Sequence, residues 1–328
     1  MNLDMLLFKR NNKKLYEDIQ TMYRYELYGM IMNSDIEFEQ LMPETAGKMH
    51  DSKDITVKKG NVKDNVNQLL DADEKVYKIT YDVSCFKNSR GYFLIKNGSE
   101  IFYEPNENRT VDELKSFILG YCISMALLQR MIITIHCSAV CPPKISPSEG
   151  AFLIAGMPGA GKSTITRKLL EKGFLFMADD VAAVKKEETE ALVYPAFPYQ
   201  KLCRNEVEKR DLDVRELVHV ADDEDKFFVP VKEAFESTQQ RLKGMFILVI
   251  TDGTEVEVQK LSGLSQFMTI RQNLFLHRLK GEWESRKELM ELCMEVAKDC
   301  PVYVFARPDG IDTSDEIMQK IIEIVERL

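Results

Sequence analysis

The stretch Gly156-Met-Pro-Gly-Ala-Gly161-Lys162-Ser163 matches the phosphate-binding pattern G-x-x-x-x-G-K-[ST] at every fixed position. It follows the apolar run at residues 151–155, which is typical of a buried strand, and it opens a helical pattern that ends near Gly173. Glycines let backbone N–H groups turn toward phosphate oxygens, and the N-terminus of the helix adds partial positive charge. A plain glycine-rich turn rarely combines this pattern with this context. The sequence therefore predicts a nucleotide site.

The lysine and the hydroxyl of this loop have separate predicted tasks. Lys162 is expected to reach the β and γ oxygens of a nucleoside triphosphate, and Ser163 is placed to ligate Mg²⁺. ATP and Mg²⁺ are therefore the expected cofactors. The residues expected to contact the nucleotide are Gly156, Met157, Pro158, Gly159, Ala160, Gly161, Lys162, Ser163 and Thr164.

Composition narrows the class of protein. The chain has 328 residues, 45% of them hydrophobic, so it can bury the core of one large or two ordinary domains. Its formal net charge of -9 has the wrong sign for a protein that neutralises nucleic-acid phosphates, so no nucleic-acid partner is expected. The seven cysteines include no C-x-x-C pair, which is typical of reduced thiols in the cytoplasm.

No segment of the sequence indicates export or membrane insertion. The stretch MNLDMLLFKRNNKK at residues 1–14 lacks the long apolar centre of a secretory signal. The longest apolar stretch, residues 117–128, falls short of the roughly 20 residues that span a bilayer. We expect a buried helix there, no membrane partner and a cytoplasmic location.

The first third of the chain alternates β-rich runs with polar breaks. Strands are expected at residues 23–32, 76–83 and 91–103, and Asn97-Gly98 in the last run is a hairpin signal. Residues 42–67 are polar without a clear period, which predicts an irregular loop. We assign residues 1–125 to an N-terminal β-rich module that binds substrate or a partner.

From Thr110 onward, strand and helix patterns interleave, which predicts an α/β fold for the catalytic domain that we assign to residues 126–328. Thr251-Asp252-Gly253 is interpreted as a hairpin turn rather than a Mg²⁺ ligand. A first helix is expected at residues 110–130 and later ones at 262–280, 283–298 and 313–328. Strands are expected at residues 131–141, 151–155, 174–178, 227–231, 245–250, 255–260 and 302–306.

Two adjacent carboxylates, Asp179 and Asp180, follow the strand that comes after the loop's helix. The carboxyl ends of strands in an open α/β sheet face the ligand. One carboxylate can ligate Mg²⁺ while the other accepts the proton of an attacking hydroxyl, and a kinase needs both. A strand-ending turn is the alternative because Asp is common in turns. The phosphate-binding pattern upstream favours the functional interpretation.

The segment 134–204 resembles the catalytic domain of bacterial HPr kinase/phosphorylase. Ile135-His136, the loop GMPGAGKST, the helix end Glu171-Lys-Gly-Phe and Ala178-Asp179-Asp180 carry the resemblance. It extends more loosely to the C-terminus and implies a P-loop kinase domain of the HPr kinase type. The N-terminal part is more similar to HPr-kinase-like proteins encoded beside ribosomal peptide clusters, some of which phosphorylate a C-terminal serine of lasso-peptide precursors.

The resemblance implies roles for individual residues. Asp179 would be the general base toward a serine hydroxyl, Asp180 would support the metal or the base, and His136 would lie near the transferred phosphate. The family has a Mg²⁺-binding Glu, and Glu206 is the candidate for that role in this chain. Taken alone, a His at the end of an apolar strand is more often a hydrogen-bonded core residue. The chain departs from the family at Cys137-Ser138, where HPr kinase has a Gly.

These patterns lead us to expect a Mg-ATP-dependent kinase that phosphorylates a serine hydroxyl, with a peptide or small protein as its partner. Arg204 and Lys226 are further candidates for phosphate contact, although exposed basic residues are commoner. A kinase for a small metabolite and a nucleotide-gated binding module are the alternatives. HPr-type relatives assemble into oligomers, and the sequence neither supports nor excludes a homo-oligomer.

Overall fold

The computed structural model describes residues 22–45, 54–70, 75–143, 149–221 and 225–328, so the stretch at residues 1–14 lies outside it. The described residues form a mixed α/β protein with three sheets, as the interleaved patterns predict. All seven cysteines are free in the structure.

The first sheet comes from the N-terminal third of the chain. Its strands are β1 (Tyr23–Leu27), β2 (Met30–Ser34), β3 (Met42–Pro43), β4 (Ile55–Lys59), β5 (Tyr77–Lys78), β6 (Val83–Lys87), β7 (Gly91–Lys96) and β8 (Glu100–Pro105). Their order across the sheet is β3-β1-β2-β4-β8-β7-β6-β5. Helix α1 (Lys63–Leu70) packs Val66 and Leu70 on β6 and β7. The sheet therefore has a second, smaller apolar cluster on that face.

Two turns in this sheet depend on positive backbone φ angles. Asn97 and Gly98 have φ of 53° and 63° and join β7 to β8, which confirms the predicted hairpin. The single strand predicted at residues 23–32 is wrong, because Tyr28 and Gly29 turn the chain with φ of 52° and 71°. A Cβ at Gly29 would lie 2.6 Å from the ring of Tyr194, so this turn is packed against the second sheet.

Two further predictions in this part need correction. Residues 42–67 were expected to be an irregular loop, yet they contain β4, which pairs in parallel with both β2 and β8. Ile55 and Val57 are buried, but two apolar residues among charged neighbours are too weak a signal to predict a central strand. The run 76–83 is also interrupted, because Thr80 Oγ1 donates to Asp82 Oδ1 at 2.6 Å and turns the chain between β5 and β6.

A helical segment then passes between the sheets, as predicted for residues 110–130. It comprises a short 3₁₀ turn (Asp112–Leu114), α2 (Lys115–Phe117), a π-helical turn (Ile118–Cys122) and α3 (Ile123–Leu128). All of α3 is buried in a core cluster that includes residues of both large sheets. The predicted division between residues 125 and 126 falls within α3, and the division into two domains stays a prediction. None of the described helices is long and apolar enough to cross a membrane.

The second and third sheets follow in the chain. Their strands are β9 (Ile133–Ile135), β10 (Cys137–Cys141), β11 (Ala151–Gly156), β12 (Leu175–Ala178), β13 (Ala182–Lys186), β14 (Ala191–Tyr194), β15 (Tyr199–Cys203), β16 (Val218–Ala221), β17 (Asp225–Pro230), β18 (Gln240–Thr251), β19 (Glu257–Leu261) and β20 (Val302–Pro308). The second sheet has the order β12-β10-β11-β18-β14-β13-β9. In addition, β20 pairs with β18, and β19 pairs with β20. The third sheet is β15-β17-β16.

Strand direction in the second sheet explains where the site forms. Strand β11 is parallel to β18, and β18 is parallel to β20. Strands β11 and β12 are both antiparallel to β10, which lies between them. The carboxyl ends of β11, β12, β18 and β20 therefore share one edge with the beginning of β10.

Two predictions for this sheet are corrected. The strand expected at residues 131–141 breaks at His136 into β9 and β10, which pair with different neighbours. The interpretation of Thr251-Asp252-Gly253 as a hairpin turn is wrong, because β18 and β19 do not pair with each other. Both pair with β20, which lies between them.

The remaining helices lie beside the second sheet, apart from the shortest one, which packs on β15 and β17 of the third sheet. They are α4 (Lys162–Glu171), α5 (Arg204–Glu208), α6 (Gly263–Gln272), α7 (Lys287–Asp299) and α8 (Ser314–Val325), with 3₁₀ turns at Val214–Glu216, Lys232–Ala234, Phe275–Arg278 and Glu282–Ser285. Helices α4 and α8 pack on one face against Phe152, Phe246 and Phe305. The helix predicted at residues 262–280 is shorter than expected, because α6 ends before Asn273 and a 3₁₀ turn follows.

Candidate functional site

The glycine-rich loop joins β11 to α4 and so has the predicted strand–loop–helix context. Gly156, Gly159 and Gly161 have φ of 143°, 80° and 104°, a region that side chains with a Cβ rarely adopt. A Cβ at Gly156 would lie 2.5 Å from the carbonyl oxygen of Leu248. The glycines of the pattern are therefore needed for the shape of the loop itself.

Two cations donate hydrogen bonds to backbone carbonyl oxygens of this loop. Lys162 Nζ donates to the carbonyl oxygens of Gly156, at 2.8 Å, and Met157, at 3.4 Å. Arg307, at the end of β20, donates from Nε to Ala160 O at 3.0 Å and from Nη2 to Gly159 O at 3.2 Å. Burial lowers the pKa of Lys162, and the nearby carboxylates of Asp179 and Asp180 oppose this effect.

Asp179 is fixed at the end of β12 by one donor to each carboxylate oxygen. Ser138 Oγ donates to Oδ1 at 2.6 Å, and the backbone N–H of Lys201 donates to Oδ2 at 2.9 Å. Burial raises the pKa of Asp179, while the two hydrogen bonds oppose the shift. A carboxylate with a raised pKa is a better proton acceptor, which is the property that a general base requires.

Asp180 has a φ of 67°, and its side chain lies beside His136. His136 Nδ1 lies 3.1 Å from the carbonyl oxygen of Asp180 and 3.3 Å from Oδ1. Because both neighbours are acceptors, Nδ1 carries the proton of the imidazole. Burial lowers the pKa of His136 although Asp180 opposes this, so the ring is neutral at neutral pH.

The structure thus brings four predicted residues to one edge of the second sheet: Lys162, Asp179, Asp180 and His136. Lys201 adds a cation, with Nζ 3.8 Å from Asp180 Oδ2. Ser163 and Thr164 lie in the first turn of α4.

The other candidates lie on or beside the third sheet. Glu206, on α5, accepts from Lys209 Nζ at 2.8 Å, and its role as a metal ligand stays a prediction. Arg204 forms an exposed ion pair with Asp225, which is an ordinary surface role. Lys226, on β17, is close enough to Lys162 for its charge to add to the lowering of the pKa of Lys162, which is due mainly to burial.

The donors at this edge fit Mg²⁺ delivered with a nucleotide. Ser163 offers a hydroxyl and Asp180 a carboxylate that is 37% exposed, and both are the hard oxygen ligands that Mg²⁺ prefers. Mg²⁺ usually binds one or two carboxylates together with substrate phosphates and water. Within the described ranges, no three His, Cys, Asp or Glu side chains form a ready-made metal site. The phosphates would therefore supply the remaining ligands.

A small cleft of about 40 Å³ opens beside the acid pair. The residues that line it include four aromatic residues and a leucine, and we call it the aromatic cleft: Tyr28, Leu119, Phe197, Tyr199 and Phe228. A larger cavity of about 570 Å³ lies beside α8, and its charged lining residues are Lys320 and four carboxylates, Glu255, Asp312, Asp315 and Glu316. Because these carboxylates would repel a polyphosphate, the larger cavity does not fit the nucleotide.

Sequence reasoning missed four residues of this site. Ser138 is a buried polar residue within an apolar strand, and Arg307 is a charged residue at the end of a predicted strand. The sequence around each therefore contained a signal that could have indicated a role in the site. Tyr28 OH donates to the carbonyl oxygen of Val181 at 2.9 Å from the first sheet, and Lys201 comes from the third. No local pattern predicts these last two contacts, which arise from the tertiary fold.

Comparison with known proteins adds little to this geometry. No family model matches the chain, and no curated protein matches it. A solved structure, the HPr(Ser) kinase/phosphatase from Coxiella burnetii, is similar over 58% of this chain and 89% of that chain. The TM-score is 0.35 and the sequence identity 14%, so the likeness is remote.

Proposed function

We propose that the protein is a Mg-ATP-dependent kinase that transfers the γ-phosphoryl group to a serine hydroxyl of a peptide or small protein. One observation carries the proposal: Lys162 of the glycine-rich loop and the carboxylate of Asp179, which Ser138 and Lys201 hold in place, lie at the same edge of the second sheet. Phosphoryl transfer needs this combination of a phosphate-binding cation and a proton acceptor.

Each residue has a task in this reaction. The loop N–H groups and the start of α4 bind the phosphates, and Lys162 exchanges its carbonyl partners for phosphate oxygens. Asp179 takes the proton of the acceptor hydroxyl as the new O–P bond forms and the bond from the γ-phosphorus to the bridging oxygen of ADP breaks. Ser163 and Asp180 would hold Mg²⁺, which neutralises charge on the phosphates when it is bound.

The neutral His136 orients Asp180 in this account. Its Nδ1–H points to the backbone and side-chain oxygens of Asp180, so it fixes a residue whose φ is otherwise uncommon. An imidazole in this position can also approach the transferred phosphate, as the resemblance to the HPr kinase family implies. Glu206 is a proposed additional metal ligand.

The experiment is mass spectrometry of a pool of acceptors after incubation with Mg-ATP. The pool contains peptides with an internal serine, peptides with a C-terminal serine as in lasso-peptide precursors, a small HPr-like protein and free serine. We expect one added phosphate on a peptide or protein acceptor, lost in Lys162→Ala and retained in the control Lys172→Ala, an exposed lysine at the end of the same helix. Transfer to free serine alone would favour a small-metabolite kinase.

A nucleotide-gated binding module is the second candidate, and the contact of Tyr28 favours it. This residue of the first sheet bonds the segment directly after the acid pair, so a change at the nucleotide site would reach the first sheet. ATP binding without transfer to any acceptor, together with altered hydrogen exchange in β1 and β2, would support the module and contradict the kinase.

A further inference from the structure

The third sheet presents different side chains on its two faces. Gln200 and Leu202 of β15 are buried, and Leu202 packs with residues of α5 and β17 in a small apolar cluster. Because side chains alternate along a strand, Lys201 points to the opposite face. Phe228, directly across on β17, shares that face, and both residues line the aromatic cleft beside the acid pair. The strand therefore directs the side chain of Lys201 toward the site.

Lys201 contacts both carboxylates of the acid pair. Its backbone N–H donates to Asp179 Oδ2 at 2.9 Å, and its Nζ lies 3.8 Å from Asp180 Oδ2. The main chain thus holds the proposed base, while the side chain places a positive charge beside the proposed metal ligand. One residue of the third sheet therefore touches two groups to which the proposed reaction gives different tasks.

Lys186 shows how an ordinary ion pair of similar burial is arranged in this protein. Its side chain is 16% exposed, and its Nζ lies 2.6 Å from Asp299 Oδ2. The side chain of Lys201 is 17% exposed, yet its Nζ stays 3.8 Å from Asp180, beyond the roughly 3.2 Å limit of a good hydrogen bond. A phosphate oxygen can therefore bind Lys201 Nζ without breaking a short hydrogen bond to Asp180.

The position of the base determines where the transferred phosphoryl group must pass. Asp179 has to be within hydrogen-bonding distance of the acceptor oxygen, which forms the new bond to the γ-phosphorus. The phosphoryl group therefore passes beside Asp179, which Lys201 contacts directly. Lys162 belongs to the helix that follows the glycine-rich loop, so Lys201 supplies a charge from a different sheet.

Lys226 adds to the positive charge on this face of the third sheet. It lies opposite Cys203, two positions after Lys201 in β15, so the two lysines share one face. Its charge also reaches Lys162, whose pKa is lowered by burial and, to a smaller extent, by Lys226. The third sheet thus brings two cations toward the loop that would bind the phosphates.

We propose that Lys201 is a catalytic residue whose Nζ donates to a non-bridging oxygen of the transferred phosphoryl group, while its backbone N–H holds the base. This inference rests on the proposed kinase function and adds to it a cation that the glycine-rich loop does not supply. The charge acts in the transition state, where the bond to ADP breaks as the bond to the acceptor forms and negative charge is spread over the phosphoryl oxygens. No proton moves to or from Lys201.

The test compares Lys201→Met with the matched control Lys186→Met in the full-length protein. Methionine removes the positive charge and keeps the backbone N–H that bonds Asp179. With saturating Mg-ATP and the serine acceptor that the wild type labels, Lys201→Met should lower kcat by about 10²-fold, the usual cost of losing one preorganised donor. The Kd for Mg-ATP should be unchanged. Lys186→Met should keep the kcat of the wild type, because Lys186 ends β13 at the end away from the acid pair.

A transition-state analogue gives a readout that does not depend on turnover. Aluminium fluoride bound together with Mg-ADP mimics the phosphoryl group during transfer, and such analogues report interactions made in the transition state. In the presence of the acceptor, Lys201→Met should raise the Kd for this complex by about the same factor as it lowers kcat. The Kd for Mg-ADP alone should be unchanged.

Two results would overturn the role of Lys201 and leave the kinase standing. One is a kcat of Lys201→Met equal to that of Lys186→Met. The other is a loss of kcat that a higher Mg²⁺ concentration restores, which would mean that Lys201 only orients Asp180 for the metal. No label on any acceptor with the wild type would instead contradict the proposed function and, with it, this inference. Circular dichroism establishes that each variant is folded, and Lys201→Gln replaces Lys201→Met if the methionine variant is not.

Discussion

The two large sheets use their charged residues differently. In the first sheet, charges pair at the surface, as Arg24 does with Glu44. At the edge of the second sheet, Lys162 and His136 have lowered pKa values and Asp179 a raised one, in each case because burial disfavours the charged form. Perturbed pKa values concentrate where a protein performs chemistry. The charged groups buried at this edge fit our proposal that the second sheet carries the reaction and that the first sheet positions the site.

The largest expected effect is that of removing the proton acceptor from the second sheet. Asp179→Asn should lower kcat by about 10²–10⁴-fold, the usual contribution of a general base. The amide can still accept from the N–H of Lys201 and donate to Ser138 Oγ, so the fold is expected to be kept. Steady-state kinetics with Asp211→Asn as control, an exposed residue whose φ of 52° suits Asn, measures the effect. Equal kcat values for the two variants would exclude Asp179 as the base.

A smaller effect is expected where the first sheet touches the site. Tyr28→Phe removes only the hydroxyl that bonds Val181 O, and one hydrogen bond of about 0.5–1.5 kcal/mol corresponds to a fall in kcat of up to about tenfold. The Kd for ATP should not change. Tyr103→Phe is the matched control, because its buried hydroxyl bonds Asp35 at 3.0 Å within the first sheet. If both variants lose stability and their kcat values do not differ, the Tyr28 hydroxyl only stabilises the fold.

The raised pKa of Asp179 also predicts how stability depends on pH. A carboxyl whose pKa is higher in the folded state than in the unfolded state stabilises the fold below its unfolded pKa, and this contribution is lost as the pH rises through the folded pKa. At pH 8, Asp179→Asn should therefore unfold at a temperature equal to or above that of the wild type. The difference should shrink toward acid pH. Thermal unfolding of both proteins at pH 8 and pH 5 tests this. The prediction is contradicted if the unfolding temperature of the variant, minus that of the wild type, is lower at pH 8 than at pH 5.

The smallest effect is expected from the surface charges of the first sheet. Arg24→Ala breaks a partly exposed ion pair with Glu44 and should change the free energy of unfolding by no more than about 1 kcal/mol. Activity should be unchanged. Urea unfolding and a kinetic assay check both values, and a clear loss of kcat would show that the two sheets do not divide their tasks in this way.

The parts of the site that follow local patterns were predictable from the sequence. The loop at Gly156, the acids at Asp179 and Asp180, and the helix start at Lys162 each depend on neighbours in the chain, and the structure places them together. Strand β4 was missed because only Ile55 and Val57 mark it as buried. Tyr28 comes from the first sheet and Lys201 from the third. No pattern within their own segments predicts that they contact the residues of this site.

The most direct test of the central claim is a crystal structure with Mg²⁺ and a non-hydrolysable ATP analogue. We predict that the phosphates lie along the glycine-rich loop, with the terminal one between Lys162 and the acid pair, and that Lys162 Nζ has left Gly156 O. A nucleotide in the larger cavity beside α8, with the bond from Lys162 to Gly156 intact, would contradict the account.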